Sequence, residues 1–248
     1  MKKQADQNKK VEKIDALKPK VLFRNPSLLE QFLKQPTIKI AEFITGLLAV
    51  GREEMILTGG RLVQGAIKGR LMIQLGREIK NLLGRGQIKE DYAETKFGFK
   101  SLEEILSFID SEAPDEDRFN AAKAMFFALN SIDVKTSGEE MLRYHLFKIT
   151  LGLTSTQIII LKISYDWVRN NETPISSASE WVRKMSESLG HGIGDLVRID
   201  ESVLVNNHLI SKRIHPDDSD SGVYSKNARL TDLGMSFCGN LSKYSDEG

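Results

Sequence analysis

The sequence predicts a mainly α-helical protein, in which an N-terminal helical region precedes a smaller C-terminal domain that adds a β-hairpin. Apolar residues recur at helical i, i+4 spacing over most of the chain. Ser, Thr or Asp stands at the predicted helix starts, several times with Glu or Gln three residues later. Two short segments with strand character flank one polar turn near the C-terminus. With 40% apolar and 28% charged residues, the composition excludes collagen-like and wholly disordered classes.

The pattern along the chain predicts three parts. Residues 1–20 are Lys-rich and hold almost no large apolar side chain, which predicts a disordered basic arm. Residues 21–150 form a predicted helical domain, and residues 151–248 form a second domain that begins near Gly152. With Cys238 as the one cysteine and no apolar stretch after the basic N-terminus, we expect a cytoplasmic protein without disulfides.

Charge is sorted along the chain although the net charge is only +1. Residues 1–89 hold 18 Lys and Arg against 8 Asp and Glu, which is a net charge of +10. Residues 90–150 carry −6 and residues 151–248 carry −3. A basic first third predicts an anionic partner, and nucleic acid, a membrane surface and the acidic remainder of the protein all fit that description.

A helix over residues 61–83 is predicted after the Gly59–Gly60 pair. One of its faces carries the apolar ladder, and a narrow arc of a different phase carries glycines that allow another backbone to approach closely. Tight packing within the chain, self-association, and binding to a membrane surface through the basic residues of this helix remain alternatives. The ladder is Val63, Ile67, Leu71, Leu75 and Ile79, and the predicted self-association glycines are Gly65, Gly69 and Gly76.

Residues 87–100 read as an irregular connection, followed by three helices with capping signals. Pro114 is expected to stop the first of these helices at about Glu112. The predicted caps are Ser101 with Glu104, Asp115, and Ser137 with Glu140. The predicted inward faces are Phe119, Ala122, Phe126 and Leu129 in the second helix, and Leu142, Leu146 and Ile149 in the third.

The last third of the chain has the element order of a winged-helix domain, with one helix added at the end. Each helix start in this order carries a capping signal, and Gly190 provides the helix stop before the turn. The predicted elements are a helix capped by Thr154 and Gln157 and ended by Asn170, an extended segment 173–176, helices from Ser177 and Asp195, strands 209–215 and 223–230, and a helix capped by Thr231.

Residues 204–238 carry a family resemblance. The residues Leu204, Asn207–Ile210 and Arg229–Cys238 resemble the C-terminal end of the abortive-infection alpha family, prokaryotic proteins linked to phage defence. The pattern Leu-Thr-x-Leu-Gly-x-x-Phe at 230–237 is also similar to winged-helix regulators, in which it follows the wing. The resemblance implies a prokaryotic protein with a winged helix and transfers no catalytic residue.

In a winged helix the third helix and the hairpin make the outside contacts. Such contacts reach nucleic acid when phosphates are neutralised, but this domain is acidic and its predicted wing tip carries Asp217, Asp218 and Asp220. A protein contact is therefore favoured over a nucleic-acid contact. The candidate residues for either partner are Arg198, Asn206, Asn207, Lys212, Arg213, Lys226 and Arg229.

Chemical motifs are missing from the sequence. It contains no P-loop, dinucleotide-binding fingerprint, nucleophile elbow or zinc signature, so we expect no catalytic residues, metal or cofactor. The prediction is a non-enzymatic prokaryotic interaction or regulatory protein, with a protein partner or a second copy as its target and a role in phage defence. A DNA-binding regulator and a membrane-active effector that uses the basic helix are the alternatives.

Overall fold

A computed structural model describes residue 45 and residues 63–172, 178–190, 193–212 and 228–245. This part of the chain is mainly helical, as predicted. Eight α-helices follow one another: α1 Val63–Gly84, α2 Lys96–Glu112, α3 Glu116–Asn130, α4 Ser137–Gly152, α5 Ser155–Arg169, α6 Ala178–Leu189, α7 Gly194–Asn206 and α8 Asp232–Ser245. A short 3-10 helix, Tyr92–Glu94, precedes α2.

The contacts divide the chain into two compact units, Met1–Ala113 and Pro114–Gly248. This division lies well before the domain boundary that the sequence suggests near Gly152. The difference has a structural reason: α4 packs on α3, and α3 also packs on α5 and α8, so the second unit includes helices on both sides of that glycine.

In the first unit α1 packs on α2. The predicted apolar ladder of α1 is buried at Leu71, Leu75 and Ile79. Lys68 of α1 also reaches Asp110 of α2, with 3.3 Å between the ammonium nitrogen and the carboxylate oxygen. The helix predicted over residues 61–83 is thus present as α1, and its apolar stripe is its inward face.

The start of α2 differs from the sequence prediction. The helix begins at Lys96 rather than at Ser101, because the Thr95 side chain accepts the Gly98 amide at 3.0 Å. Ser101 instead lies buried inside the helix and donates to the Gly98 carbonyl. A Cβ at Gly98 would lie 1.8 Å from the Tyr92 carbonyl oxygen, so only glycine fits where the 3-10 helix meets α2.

The centre of the second unit is α3. All of its residues from Ala121 to Asn130 are buried. The sequence predicts one inward face for this helix, whereas the structure buries it on all sides over these residues. Its alanines let neighbouring helices approach closely, and α4, α5 and α8 all pack against it. The predicted cap is confirmed, since Asp115 accepts the Arg118 amide at 3.0 Å.

The caps of α4, α5 and α8 lie at or next to the predicted residues. The prediction that Asp195 starts α7 is wrong, because this helix begins at Gly194 after Ile193, which makes no side-chain cap bond. The cap of α4 is Thr136, one residue before the predicted Ser137, and it accepts the Glu139 amide. The capping box of Thr154 and Gln157 is complete at the start of α5. At α8 the Thr231 hydroxyl oxygen accepts the Gly234 amide at 3.0 Å, as predicted.

Helices α5, α6 and α7 pack on one another. Gly190 ends α6 with a φ of +106°, the left-handed conformation expected of a residue at that position. Ile210 and Leu230 form an isolated antiparallel bridge, and the described residues contain no longer strand. Residues 213–227 of the predicted hairpin lie outside the described residues.

Cys238 lies on α8 where this helix packs against α5, and its thiol contacts the Leu161 carbonyl oxygen at 3.5 Å. Burial raises the pKa of the Cys238 thiol to about 12. We therefore expect the folded protein to resist alkylation by iodoacetamide at pH 8, while the protein unfolded in urea reacts at the rate of a free thiol. Equal rates in both states, followed by mass spectrometry, would contradict the packing of α8 on α5.

Candidate interaction surface

The helix α7 is the third helix of the winged-helix order that the sequence predicts, and in that order the third helix is the one expected to make outside contacts. One of its faces is buried and consists of Val197, Asp200, Glu201 and Leu204. The opposite face is exposed to solvent and consists of Asp195, Leu196, Arg198, Ile199, Ser202 and Asn206. We call this set the α7 outer face.

Two large apolar side chains project from the α7 outer face. Leu196 is 43% exposed and Ile199 is 63% exposed, and the charged residues beside them, Asp195 and Arg198, balance each other. Aliphatic side chains gain by leaving water, whereas nucleic-acid contacts depend on cationic ones. This surface is therefore chemically suited to a protein partner. The sequence-based candidates included Arg198 and Asn206 of this face but missed both apolar residues.

Arg229 is not available to an outside partner. The sequence makes it a candidate contact of the hairpin, but its side chain is only 1% exposed and pairs with Glu201 of α7 at 2.8 Å. The guanidinium lies over the Trp181 ring, 4.7 Å from the ring centroid, and donates to the Ser211 carbonyl at 2.8 Å. The prediction for Arg229 is corrected: its buried side chain joins Ser211 to Trp181 of α6 and to Glu201 of α7.

A second buried polar contact also fixes α7. Gln157 of α5 donates to an Asp200 carboxylate oxygen at 2.8 Å, and both side chains are buried. Because buried polar groups require partners of defined geometry, this bond and the Arg229–Glu201 pair set the rotation of α7 about its axis. The rotation in turn determines which side chains reach the outer face.

The Leu-Thr-x-Leu-Gly pattern at 230–234 has a structural explanation. Besides capping α8, Thr231 donates its hydroxyl to the His208 carbonyl at 2.6 Å. Its backbone amide bonds to the Leu209 carbonyl at 3.1 Å. A Cβ at Gly234 would lie 2.1 Å from the same Leu209 oxygen, so glycine is required for α8 to start directly beneath the strand bridge. The pattern therefore joins the start of α8 to residues His208 and Leu209.

The other predicted contact residues differ in their exposure to solvent. Asn206 and Lys212 are exposed, and Asn207 is half-buried with its amide bonded to the Val203 carbonyl at 3.0 Å. Arg213 and Lys226 lie outside the described residues. Of the seven candidates, Arg198, Asn206 and Lys212 thus remain as exposed side chains at or beside α7.

The two glycines of the α1 arc whose burial is described, Gly69 and Gly76, are not exposed. Gly69 and Gly76 are buried in the single chain, which agrees with packing within the chain rather than with a self-association surface. The environment of Gly65 lies outside the description. A different face of α1 is exposed, and its charged residues are Arg70, Arg77 and Lys80.

A second exposed apolar group lies at the junction of α3 and α4. Ile132 and Met141 are exposed, and Leu142, which the sequence places on an inward face, is 47% exposed. The predicted face is wrong at this position, because α4 contacts α3 through Leu146, Phe147 and Thr150, which are the buried residues of the helix.

Two kinds of functional feature are absent from the described residues, a metal-binding group and a membrane-spanning helix. The described residues contain no group of three or more His, Cys, Asp or Glu side chains arranged to hold a metal ion. No helix in the same residues is long and apolar enough to cross a bilayer. Comparison with protein-family models, with curated proteins and with solved structures found no match.

Proposed function

We propose that the second unit is a protein-docking module of helix-turn-helix type and that the α7 outer face is its docking surface. The single observation that carries the proposal is the exposure of Leu196 and Ile199 on the helix that such modules present to their targets. Large aliphatic side chains on an exposed face, with polar residues beside them, are typical of protein interfaces.

The buried side of α7 supports the same proposal. Arg229 and Glu201 neutralise each other in the interior, so Arg229 does not contribute to a phosphate-binding surface. The outer face itself has one base, Arg198, and one acid, Asp195. A winged-helix module arranged in this way offers a nearly neutral surface with an aliphatic centre, and the base of its hairpin holds that surface in place.

An affinity-capture experiment tests the proposal. Full-length protein and the variant Ile199→Asp are used as baits in nuclease-treated extracts of the source cells, with quantitative mass spectrometry of the captured proteins. We expect one or a few proteins to be retained by the wild type and depleted at least tenfold by the substitution, because a carboxylate placed at the centre of an apolar contact leaves an unpaired buried charge.

The matched control is Ile132→Asp, which introduces the same charge at another exposed isoleucine in the same unit. This control is expected to retain the captured proteins. Equal loss in both variants, or equal retention in both, would contradict docking on the α7 outer face.

A further inference from the structure

We infer that the exposed face of α1 binds the phosphate backbone of nucleic acid, separately from protein docking on α7. Its charged side chains are Arg70, Arg77 and Lys80, and all three are exposed. At about 100° per residue, Arg70 and Arg77 lie within about 20° of each other around the helix, and Lys80 lies about 60° farther round. The three cations therefore share one side of α1 and extend over about 15 Å of its axis.

The face holds no acid among its described residues. Its other exposed positions are Ala66, Asn81 and Gly84. Glu78, the one acid of α1, accepts a hydrogen bond from Gln74 at 3.0 Å, and Asp110 of α2 pairs with Lys68. Cations repeated on one helix face repel one another, and an external polyanion relieves that repulsion.

Exposed faces in the second unit show a different arrangement of charge. Arg183 of α6 pairs with Glu187 one turn later at 2.7 Å, and Asp195 accompanies Arg198 on α7. The exposed face of α1 therefore differs from those of α6 and α7, because it holds cations alone among its charged residues. It also lies within the segment 1–89, whose net charge is +10.

The geometry favours nucleic acid over a lipid surface. A helix that lies in a membrane interface inserts its apolar face among the lipid chains. The apolar face of α1, which includes Leu75 and Ile79, is buried inside the protein. The outside contact is left to the cations and to small or neutral polar positions, and neutralisation of phosphates by Arg and Lys is sufficient for sequence-independent binding to nucleic acid. Along a duplex, about 15 Å covers four to five phosphates of one strand.

Fluorescence anisotropy tests the inference. The full chain is titrated against a labelled duplex of about 20 base pairs at salt concentrations from about 50 to 200 mM. The variant is Arg70→Gln with Arg77→Gln and Lys80→Gln. The matched control removes the same charge from exposed residues of the second unit: Lys135→Gln with Arg169→Gln and Arg183→Gln. Circular dichroism verifies that both variants keep their helices.

We expect wild type and control to bind with the same steep salt dependence. The α1 variant is expected to bind at least about tenfold more weakly near 100 mM salt, with a slope of log K against log salt that is less steep by two to three. Sedimentation with phosphatidylserine vesicles is the parallel arm. No binding of the duplex, equal binding by the α1 variant, or binding only to vesicles would each overturn the inference.

Discussion

Replacement of Arg229 by methionine is expected to lower the free energy of unfolding by about 3–5 kcal/mol. Methionine keeps the apolar stem but removes the guanidinium, so the Glu201 carboxylate, only 8% exposed, stays buried without its cation. The Ser211 carbonyl loses a donor, and the cation above the Trp181 ring disappears. Because whole domains are stable by only about 5–15 kcal/mol, this loss is a large fraction of the total.

Urea denaturation followed by circular dichroism measures the effect. The control Arg198→Met removes the same type of side chain from the exposed side of α7 and is expected to change stability by less than about 0.5 kcal/mol. The double variant Arg229→Met with Glu201→Leu removes both charges and is expected to recover most of the loss. A single Arg229→Met variant as stable as Arg198→Met would show that the buried pair does not hold the segment around Arg229 to α7.

Replacement of Gly234 by alanine has the second largest expected effect, a loss of about 3 kcal/mol. The new Cβ would lie 2.1 Å from the Leu209 carbonyl oxygen. That oxygen is a backbone atom that accepts the Thr231 amide. It cannot move away without breaking the bond that joins Leu209 to the start of α8. Steric strain at this point outweighs the gain of about 1 kcal/mol that alanine brings to a helix interior.

The same helix provides the control. A Cβ at Gly239 would meet the Tyr165 hydroxyl oxygen at 3.7 Å, which is an ordinary van der Waals contact. Gly239→Ala is therefore expected to raise stability by up to about 1 kcal/mol through helix propensity alone. Thermal unfolding of the Gly234→Ala and Gly239→Ala variants measures the two effects on stability. Shifts of the same sign and size would indicate that the close approach at Gly234 does not constrain the fold.

Local patterns predicted the helices well where the chain carries its own start and stop signals. The capping box at Thr154 and the glycine stop at Gly190 are examples, because both depend on atoms within one turn of the helix. The start of α2 was misplaced for a related reason. Two starts, Thr95 and Ser101, compete within the same segment, and the contact of Gly98 with Tyr92, which involves the preceding 3-10 helix, selects the earlier one.

The candidate surface was harder to predict, because exposure depends on the packing of distant helices. In the sequence, Arg229 resembles a surface cation. It can lie in the interior because the fold brings the Glu201 carboxylate, 28 positions away, within ion-pair distance. Leu196 and Ile199 look like core residues by composition, yet Val197 and Leu204 occupy the inward face of α7. The helix α7 has more apolar residues than a single inward stripe requires. This excess is the sequence signal for a second apolar surface that faces outward.

Photocrosslinking from position 199 tests the protein-docking role of α7 most directly. A benzophenone amino acid is placed at Ile199 in one protein and at the exposed Lys135 in another, and both are irradiated in source-cell extract with and without nuclease. We expect position 199 to give a discrete crosslinked protein that survives nuclease and disappears when Leu196 is replaced by aspartate. Crosslinks from position 199 to nucleic acid, or a protein pattern identical to that from position 135, would contradict the docking of a protein on α7.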